Sequence, residues 1–212
     1  MDARAIVINS KRNKEIQIKL IPGHFATSHS HVNYYIDMTA VKTNHLMAKN
    51  TARELASNYL STPVDTIVCL DGTEIIGALL ANELSKAGIG AINSGTGISV
   101  VTPEINSFNQ MIFRDNLQSA IWNKNVLLLV ASITTGKTVN RALDCVRYYG
   151  GRAAGISALF SNVDNVQDVQ VNGLFEVDDL PNYETFSAHN CPFCNDGIKI
   201  DAIVNSYGYS KL

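Results

Sequence analysis

The chain has 212 residues, 46% of them apolar and 17% charged, a balance that excludes a disordered polypeptide. A formal charge of −2 provides no broad basic field, so nucleic acid is not an expected partner. No window approaches the roughly 18 apolar residues of a membrane span, and Met1-Asp2-Ala3-Arg4 opens onto a short apolar run without a small-residue cleavage site, so neither a membrane nor secretion is indicated.

The stretch Glu15-Ile16-Gln17-Ile18-Lys19-Leu20 alternates polar and apolar residues, as a half-buried strand does, and Pro22-Gly23 predicts a turn at its end. From about Thr43 to Leu60, Ala48, Ala52, Leu55, Ala56 and Tyr59 share one helical face, and Pro63 stops that helix. Strand and helix then alternate. Thr66-Ile67-Val68-Cys69-Leu70 predicts a strand leading to Asp71-Gly72, and Ile75, Ile76, Leu79, Leu80 and Leu84 carry helical spacing up to Gly88. Ile98-Ser99-Val100-Val101 predicts the next strand, and residues 103–115 are polar and aperiodic, a candidate mobile loop.

Val126-Leu127-Leu128-Leu129-Val130 is an unbroken apolar run, the mark of a strand buried on both faces. Val139, Ala142, Leu143 and Val146 follow at helical spacing until Gly150-Gly151, and 153–160 supplies another strand. Repeated strand–helix–strand units predict an α/β fold with a central parallel sheet flanked by helices, whose ligands sit beyond the carboxyl ends of the strands. No repeat or linker divides the chain, so residues 1–212 are expected to form a single domain, with 181–212 as a small appendage. Four cysteines do not make a disulfide framework; Cys69 and Cys145 fall in apolar runs, and a reduced, cytoplasmic protein is expected.

The most informative stretch is Ala131-Ser132-Ile133-Thr134-Thr135-Gly136-Lys137-Thr138, where a buried strand feeds a short turn and a helix starts at once. Such a turn gathers unpaired backbone N–H groups at the positive end of a helix. Thr134, Thr135 and Thr138 add hydroxyls, Gly136 allows close backbone approach, and Lys137 adds a compact positive charge, a set suited to a phosphomonoester dianion. A capped helix start with Thr as N-cap explains only part of the pattern. The segment also nearly matches the P-loop of nucleotide hydrolases, with Ala131 where the first glycine belongs. A P-loop needs a downstream metal-binding Asp, for which Val177-Asp178-Asp179 is the available candidate.

Ile133 to Val139 resembles the Thr-Thr-Gly-x-Thr signature of type I phosphoribosyltransferases. Gly23-His24-Phe25-Ala26-Thr27-Ser28-His29-Ser30-His31-Val32-Asn33-Tyr34-Tyr35-Ile36-Asp37 is similar to the N-terminal segment of the orotate members, and Asp65 to Ala87 to their pyrophosphate-loop strand and helix. The likeness spans about residues 20–180 in the family's order. It implies that Thr134, Thr135, Gly136, Lys137 and Thr138 hold the 5-phosphate of phosphoribosyl pyrophosphate (PRPP), and that Leu70, Asp71, Gly72 and Thr73 contact pyrophosphate. It further implies that residues 1–40 build a hood over the base, with Ser28, His31, Tyr34 and Tyr35 in it. Mg²⁺ carried in on PRPP, a nitrogenous base as second substrate and a homodimer are implied likewise.

The sequence departs from the family at the two acids that precede the signature, where Val130 and Ala131 stand. Those acids accept hydrogen bonds from the ribose hydroxyls, and loss of such a charge-assisted contact costs about 1.5–3 kcal/mol. Glu74 and Ile75 stand near glycines of the family's pyrophosphate loop, and Arg114 is the only basic residue in the 103–115 stretch. Asp71 and Arg114 are therefore the candidate substitutes in catalysis. The departures leave open a relative that binds PRPP or a nucleotide with little turnover and a regulatory role.

Cys191-Pro192-Phe193-Cys194 places two thiols at zinc-ligand spacing, with Gly197 just beyond. It is half of a structural Zn²⁺ site. His24, His29, His31 and His45 are available for the other half if the tail folds back over the N-terminal segment; free or redox-active thiols are the alternative.

Overall fold

The computed structural model describes residues 2–86, 88, 91–107 and 110–212. Phe108 and Asn109 of the polar 103–115 stretch lie outside them. Along the chain run strands β1 (Ile6–Asn9), β2 (Gln17–Ala26) and β3 (His31–Asp37), helices α1 (Thr39–Thr43) and α2 (His45–Ala56), strand β4 (Thr66–Cys69), helix α3 (Glu74–Leu84) and strand β5 (Ser99–Val101). A small hairpin, β6 (Glu104–Ile105) and β7 (Met111–Ile112), and helix α4 (Asp115–Gln118) precede strand β8 (Asn125–Ile133), helix α5 (Lys137–Tyr148) and strand β9 (Arg152–Ser161). The chain closes with β10 (Asn165–Val166), β11 (Val169–Glu176), β12 (Thr185–Phe186), α6 (Pro192–Asn195), β13 (Ala202–Asn205) and β14 (Gly208–Lys211).

The main sheet has the order β10-β11-β9-β8-β4-β5, and every pair from β11 to β5 is parallel. Its two faces are packed by different helices, and β8 shows why its apolar run is continuous. Leu127, Leu129 and Ala131 join a core cluster with α2 and α3, whereas Val126, Leu128 and Val130 join one with α5. A strand covered on both sides has no position for a polar residue. Tyr59, just beyond α2, donates its hydroxyl to the Ile156 carbonyl at 2.8 Å. Gly155 makes room for that ring, since a Cβ there would lie 2.7 Å from Tyr59 Cε1.

A second sheet, ordered β12-β3-β2-β13-β14 with β1 on β2, contains the segment expected to form a hood and is called the hood. Two sequence expectations need correction here. Pro22-Gly23 does not end the strand; β2 runs through it to Ala26, with a register shift between Pro22 and Phe25 where the pairing to β3 is interrupted. The bulge takes up the proline's missing donor. Gly23 is required because a Cβ would come within 2.5 Å of Asp201 Oδ2. Residues 181–212 are also more than an appendage, since β12 pairs with β3, β13 with β2, and β14 with β13. Among the described residues, no helix is long and apolar enough to cross a membrane.

Candidate functional site

The strand order of the main sheet reverses between β4 and β8. From β4 the chain proceeds outward to β5, and from β8 it proceeds the other way to β9 and β11. Loops that leave the carboxyl ends of two such neighbours diverge and open a crevice between them. Here those loops are 70–73 after β4 and 134–136 after β8, and the hood covers them. The result is a cavity of about 250 Å³ lined by 134–136, the hood, the hairpin turn 205–208 and, from the loop after β4, Asp71 but not Leu70, Gly72 or Thr73.

Of the two loops, 134–136 is the more open. Helix α5 begins at Lys137 with Gly136 as its N-cap in the left-handed region (φ 73°), and no side chain caps it. The first intrahelical bond runs from Asn140 N–H to Gly136 O at 2.8 Å, so the preceding amides of the first turn have no helical acceptor. Thr135 and Lys137 are exposed, Thr134 and Thr138 half-buried, and all five residues from Thr134 to Thr138 line the cavity. Asn162, at the end of β9, braces the loop by donating its backbone N–H to Ile133 O at 2.8 Å.

The facing loop is tighter. Leu70 is buried, and Thr73 donates its hydroxyl to Leu70 O at 2.8 Å and Leu129 O at 3.1 Å, so that hydroxyl serves the turn. Asp71 and Gly72 both take positive φ, 60° and 74°. This turns the Asp71 carboxyl into the cavity, where burial pushes its pKa up against the opposing pull of Lys42, Ser206 and the Ala131 backbone. Lys42 of α1 reaches the same place. Its ammonium donates to Asp71 O at 3.2 Å and Ser206 O at 2.7 Å, and burial pushes its pKa down. Among the described residues, Asp71 is the one carboxylate in the cavity wall, and Lys42 and Lys137 are its lysines.

No family model matches the chain. Orotate phosphoribosyltransferase from Desulforamulus reducens is 26% identical over 183 residues, spanning 84% of this chain and 86% of that protein. The enzyme of the same name from Caldanaerobacter subterraneus subsp. tengcongensis is 25% identical over 179 residues, covering 84% and 86%. Among solved structures, Mycobacterium tuberculosis orotate phosphoribosyltransferase superposes with a TM-score of 0.53 at 13% identity, covering 76% of this chain and 91% of that one. Adenine phosphoribosyltransferase from Thermoanaerobacter pseudethanolicus gives 0.52 at 14% identity, covering 82% and 96%. The chain has the phosphoribosyltransferase fold. Its sequence likeness is to the orotate branch of that fold.

Set against the phosphoribosyltransferase pattern, the two positions that lack acids differ from one another. Val130 faces α5 and is fully buried, whereas Ala131 lines the cavity, beside the Asp71 carboxyl. Glu74 is directed elsewhere, accepting from the Thr102 hydroxyl at 3.1 Å. The structure does not bring Arg114 to the cavity; it is held by Glu104 through two contacts of 2.7 Å across the base of the β6–β7 hairpin. Ser28, Tyr34 and Tyr35 of the hood line the cavity, and burial pushes the Tyr35 hydroxyl up to about 12. His31 does not line it, because its ring is turned toward His24 and Cys194. The P-loop reading finds no support: Asp179 is paired with Lys11 at 2.6 Å, in a turn whose acids do not line the cavity.

Lys42 was not singled out by the sequence. It stands among polar and small residues at the edge of the predicted 43–60 helix, and only the break between α1 and α2 at Asn44 lets it face Asp71. The tail turn at Asn205 and Ser206 was missed for a related reason, since nothing local tells that β13 docks beside β2. His24, His31, Cys191 and Cys194, in contrast, come together as a second cluster outside the cavity. His29 lines the cavity instead, and His45 begins α2.

Proposed function

We propose that the chain transfers the 5-phosphoribosyl group of PRPP to a ring nitrogen of a nitrogenous base, orotate being the first candidate, and releases pyrophosphate. The observation that carries this is the placement of the 134–138 turn opposite the 70–73 turn at the strand-order reversal. In this reading Thr134, Thr135, Gly136, Lys137 and Thr138 hold the 5-phosphate through amides, hydroxyls and one ammonium. Of the expected residues Leu70, Asp71, Gly72 and Thr73, the last three receive pyrophosphate, chiefly through backbone, the Leu70 N–H being already bonded to Leu129 O at 2.8 Å, and Lys42 balances its charge. Ser28, Tyr34 and Tyr35 hold the base. The new bond joins the ring nitrogen to C1 of the ribose as the C1–oxygen bond breaks, and its electron pair leaves on pyrophosphate. The protein contributes alignment and fixed charges to a ring that becomes positive on the way.

Asp71 takes the place of the absent acid at 131. Its carboxyl lies beside Ala131 in the cavity wall and accepts from the ribose hydroxyls. Among the described residues, the same carboxylate is the one in the cavity wall that could ligate Mg²⁺ brought by PRPP, whose remaining ligands would be mainly substrate oxygens and water. A homodimer belongs to this reading, from the family likeness. The test is pyrophosphate release from PRPP and Mg²⁺ with orotate, and separately with adenine. Base-dependent release with either supports transfer and names the base. Saturable PRPP binding with no release from any base leaves a binding protein and refutes transfer.

A further inference from the structure

Outside the cavity, the strongest chemistry in the molecule lies where the hood sheet meets the tail. His24 Nε2 is 3.0 Å from His31 Nδ1, 3.5 Å from Cys191 Sγ and 3.7 Å from Cys194 Sγ, and Cys194 Sγ is 3.4 Å from His31 Nδ1. All four ligand atoms lie within 4.8 Å of one another. For tetrahedral Zn²⁺ with the usual bond lengths, the ligand edges are about 3.3 Å between nitrogens and about 3.6 Å between nitrogen and sulfur. The four observed edges lie within a few tenths of an ångström of those of a Cys₂His₂ zinc tetrahedron, and the two others, from Cys191 Sγ to Cys194 Sγ and to His31 Nδ1, are no longer than 4.8 Å. We propose that His24, His31, Cys191 and Cys194 form a structural zinc site that clamps the tail onto the hood.

A second observation points the same way. The other ring nitrogen of His24, Nδ1, is 2.9 Å from Ile198 O, so it carries the proton and leaves Nε2 with a free lone pair aimed at the cluster. His24 is 1% exposed, its backbone N–H is held by Asp201 Oδ2 at 2.9 Å, and Phe193 stacks on the ring at 5.2 Å. Cys191 is fully buried. The turn that carries the sulfurs is closed by Gly197 N–H to Cys194 O and Ile198 N–H to Phe193 O, with Gly197 at φ 72°. His24 and the cysteine turn are thus held in place by the backbone around them, and four protein ligands would leave no open position for a substrate.

The location explains what the metal does. His24 and His31 bracket the loop that brings Thr27, Ser28 and His29 to the cavity wall, and the tail beyond Cys194 brings Asn205 and Ser206 to it. One ion fixes both ends of that roof. Elemental analysis of the full chain, purified without added metal, is expected to find about one zinc per chain. Cobalt loaded in its place should give the absorption of a tetrahedral thiolate site. Cys194→Ser and His31→Ala should each lose the metal, and chelation of the native protein should lower its melting temperature. Chelation should also expose two alkylatable thiols, leaving Cys69 and Cys145, pushed by burial to about 12 and about 11, unreactive until denaturant is added. Protein that is metal-free and takes up neither zinc nor cobalt, or a Cys191–Cys194 disulfide found by mass mapping, would overturn the site. None of these readings depends on phosphoribosyl transfer.

Discussion

The ammonium of Lys42 lies 3.2 Å from the backbone carbonyl of Asp71, and the same group reaches the Ser206 carbonyl at 2.7 Å. One side chain thus ties the loop after β4 to the turn of the tail hairpin, from opposite walls of the cavity. Burial leaves its positive charge poorly hydrated and lowers the pKa of Lys42, against the opposing pull of the Asp71, Asp37 and Glu74 carboxylates. An anionic ligand in the cavity would relieve this.

Lys42→Met should therefore weaken PRPP more than it weakens the fold. Removing a hydrogen-bonded charge facing an anion costs about 1.5–3 kcal/mol, or about 10-fold to 150-fold in affinity. The buried stem keeps its packing in methionine, and relief from burying the ammonium offsets the two lost hydrogen bonds. Calorimetric titration with PRPP, next to a melting curve, measures both. Unchanged PRPP affinity would remove Lys42 from the site.

Asp71→Asn should reduce turnover while raising stability at neutral pH. The folded-state pKa of Asp71 is raised, chiefly by burial, so the native state favours the protonated acid. That favourable contribution is complete below the unfolded value of 3.8 and is lost as pH rises through the folded value. Asparagine keeps the shape without the charge. The variant's advantage in melting temperature should thus be present at pH 7 and vanish toward pH 3.5, while pyrophosphate release falls about 10-fold to 150-fold. A variant that melts below the native protein at pH 7 contradicts the burial argument, and full turnover contradicts the role.

Gly136→Ala tests the phosphate turn through its backbone. A Cβ at φ 73° costs about 1–2 kcal/mol and would meet Val166 Cγ2 at 3.3 Å. For a chain of this size that corresponds to about 2–4 °C in melting temperature per kcal/mol. The melting shift produced by ribose 5-phosphate should shrink as well, because the amides that follow are displaced. A full shift at saturating ribose 5-phosphate would place the phosphate elsewhere.

What the sequence disclosed divides along a physical line. Elements whose signal is local were readable: the continuous apolar run of β8, the helical spacing of α3 and α5, and the turn from Thr134 to Thr138. The turn could be placed because its glycine and its position between a buried strand and a helix lie in one stretch of chain. Hidden features depended on contacts between distant segments. The strand through Pro22-Gly23 survives only because Asp201, from the far end of the chain, accepts the His24 amide in the space a side chain at residue 23 would fill. Cys191-x-x-Cys194 showed two members of the proposed zinc cluster, and that His24 and His31 join them rather than His29 and His45 follows from the pairing of β2 with β3 and β13. Arg114 looked free in sequence, but a carboxylate ten residues before it, Glu104, takes it up.

Exchanging positions 71 and 131 separates the presence of a carboxylate from its place. Ala131 is 2% exposed and lines the cavity beside the Asp71 carboxyl, so Ala131→Asp alone puts two acids into one poorly hydrated corner. Like charges that close cannot both ionise without cost, and one pKa must rise further. This variant should melt below the native protein at pH 7, and the deficit should shrink as the pH falls and the pair takes up protons. Combining it with Asp71→Asn leaves a single acid, at the position occupied in the type I signature. If the carboxylate matters for its contact with the ribose, the double variant should recover most of the turnover lost in Asp71→Asn and also the melting temperature lost in Ala131→Asp. A double variant as inactive as Asp71→Asn but fully folded would show that the acid must be presented from the loop after β4. Asp71 would then act on pyrophosphate or its metal, with the ribose hydroxyls bound by other groups.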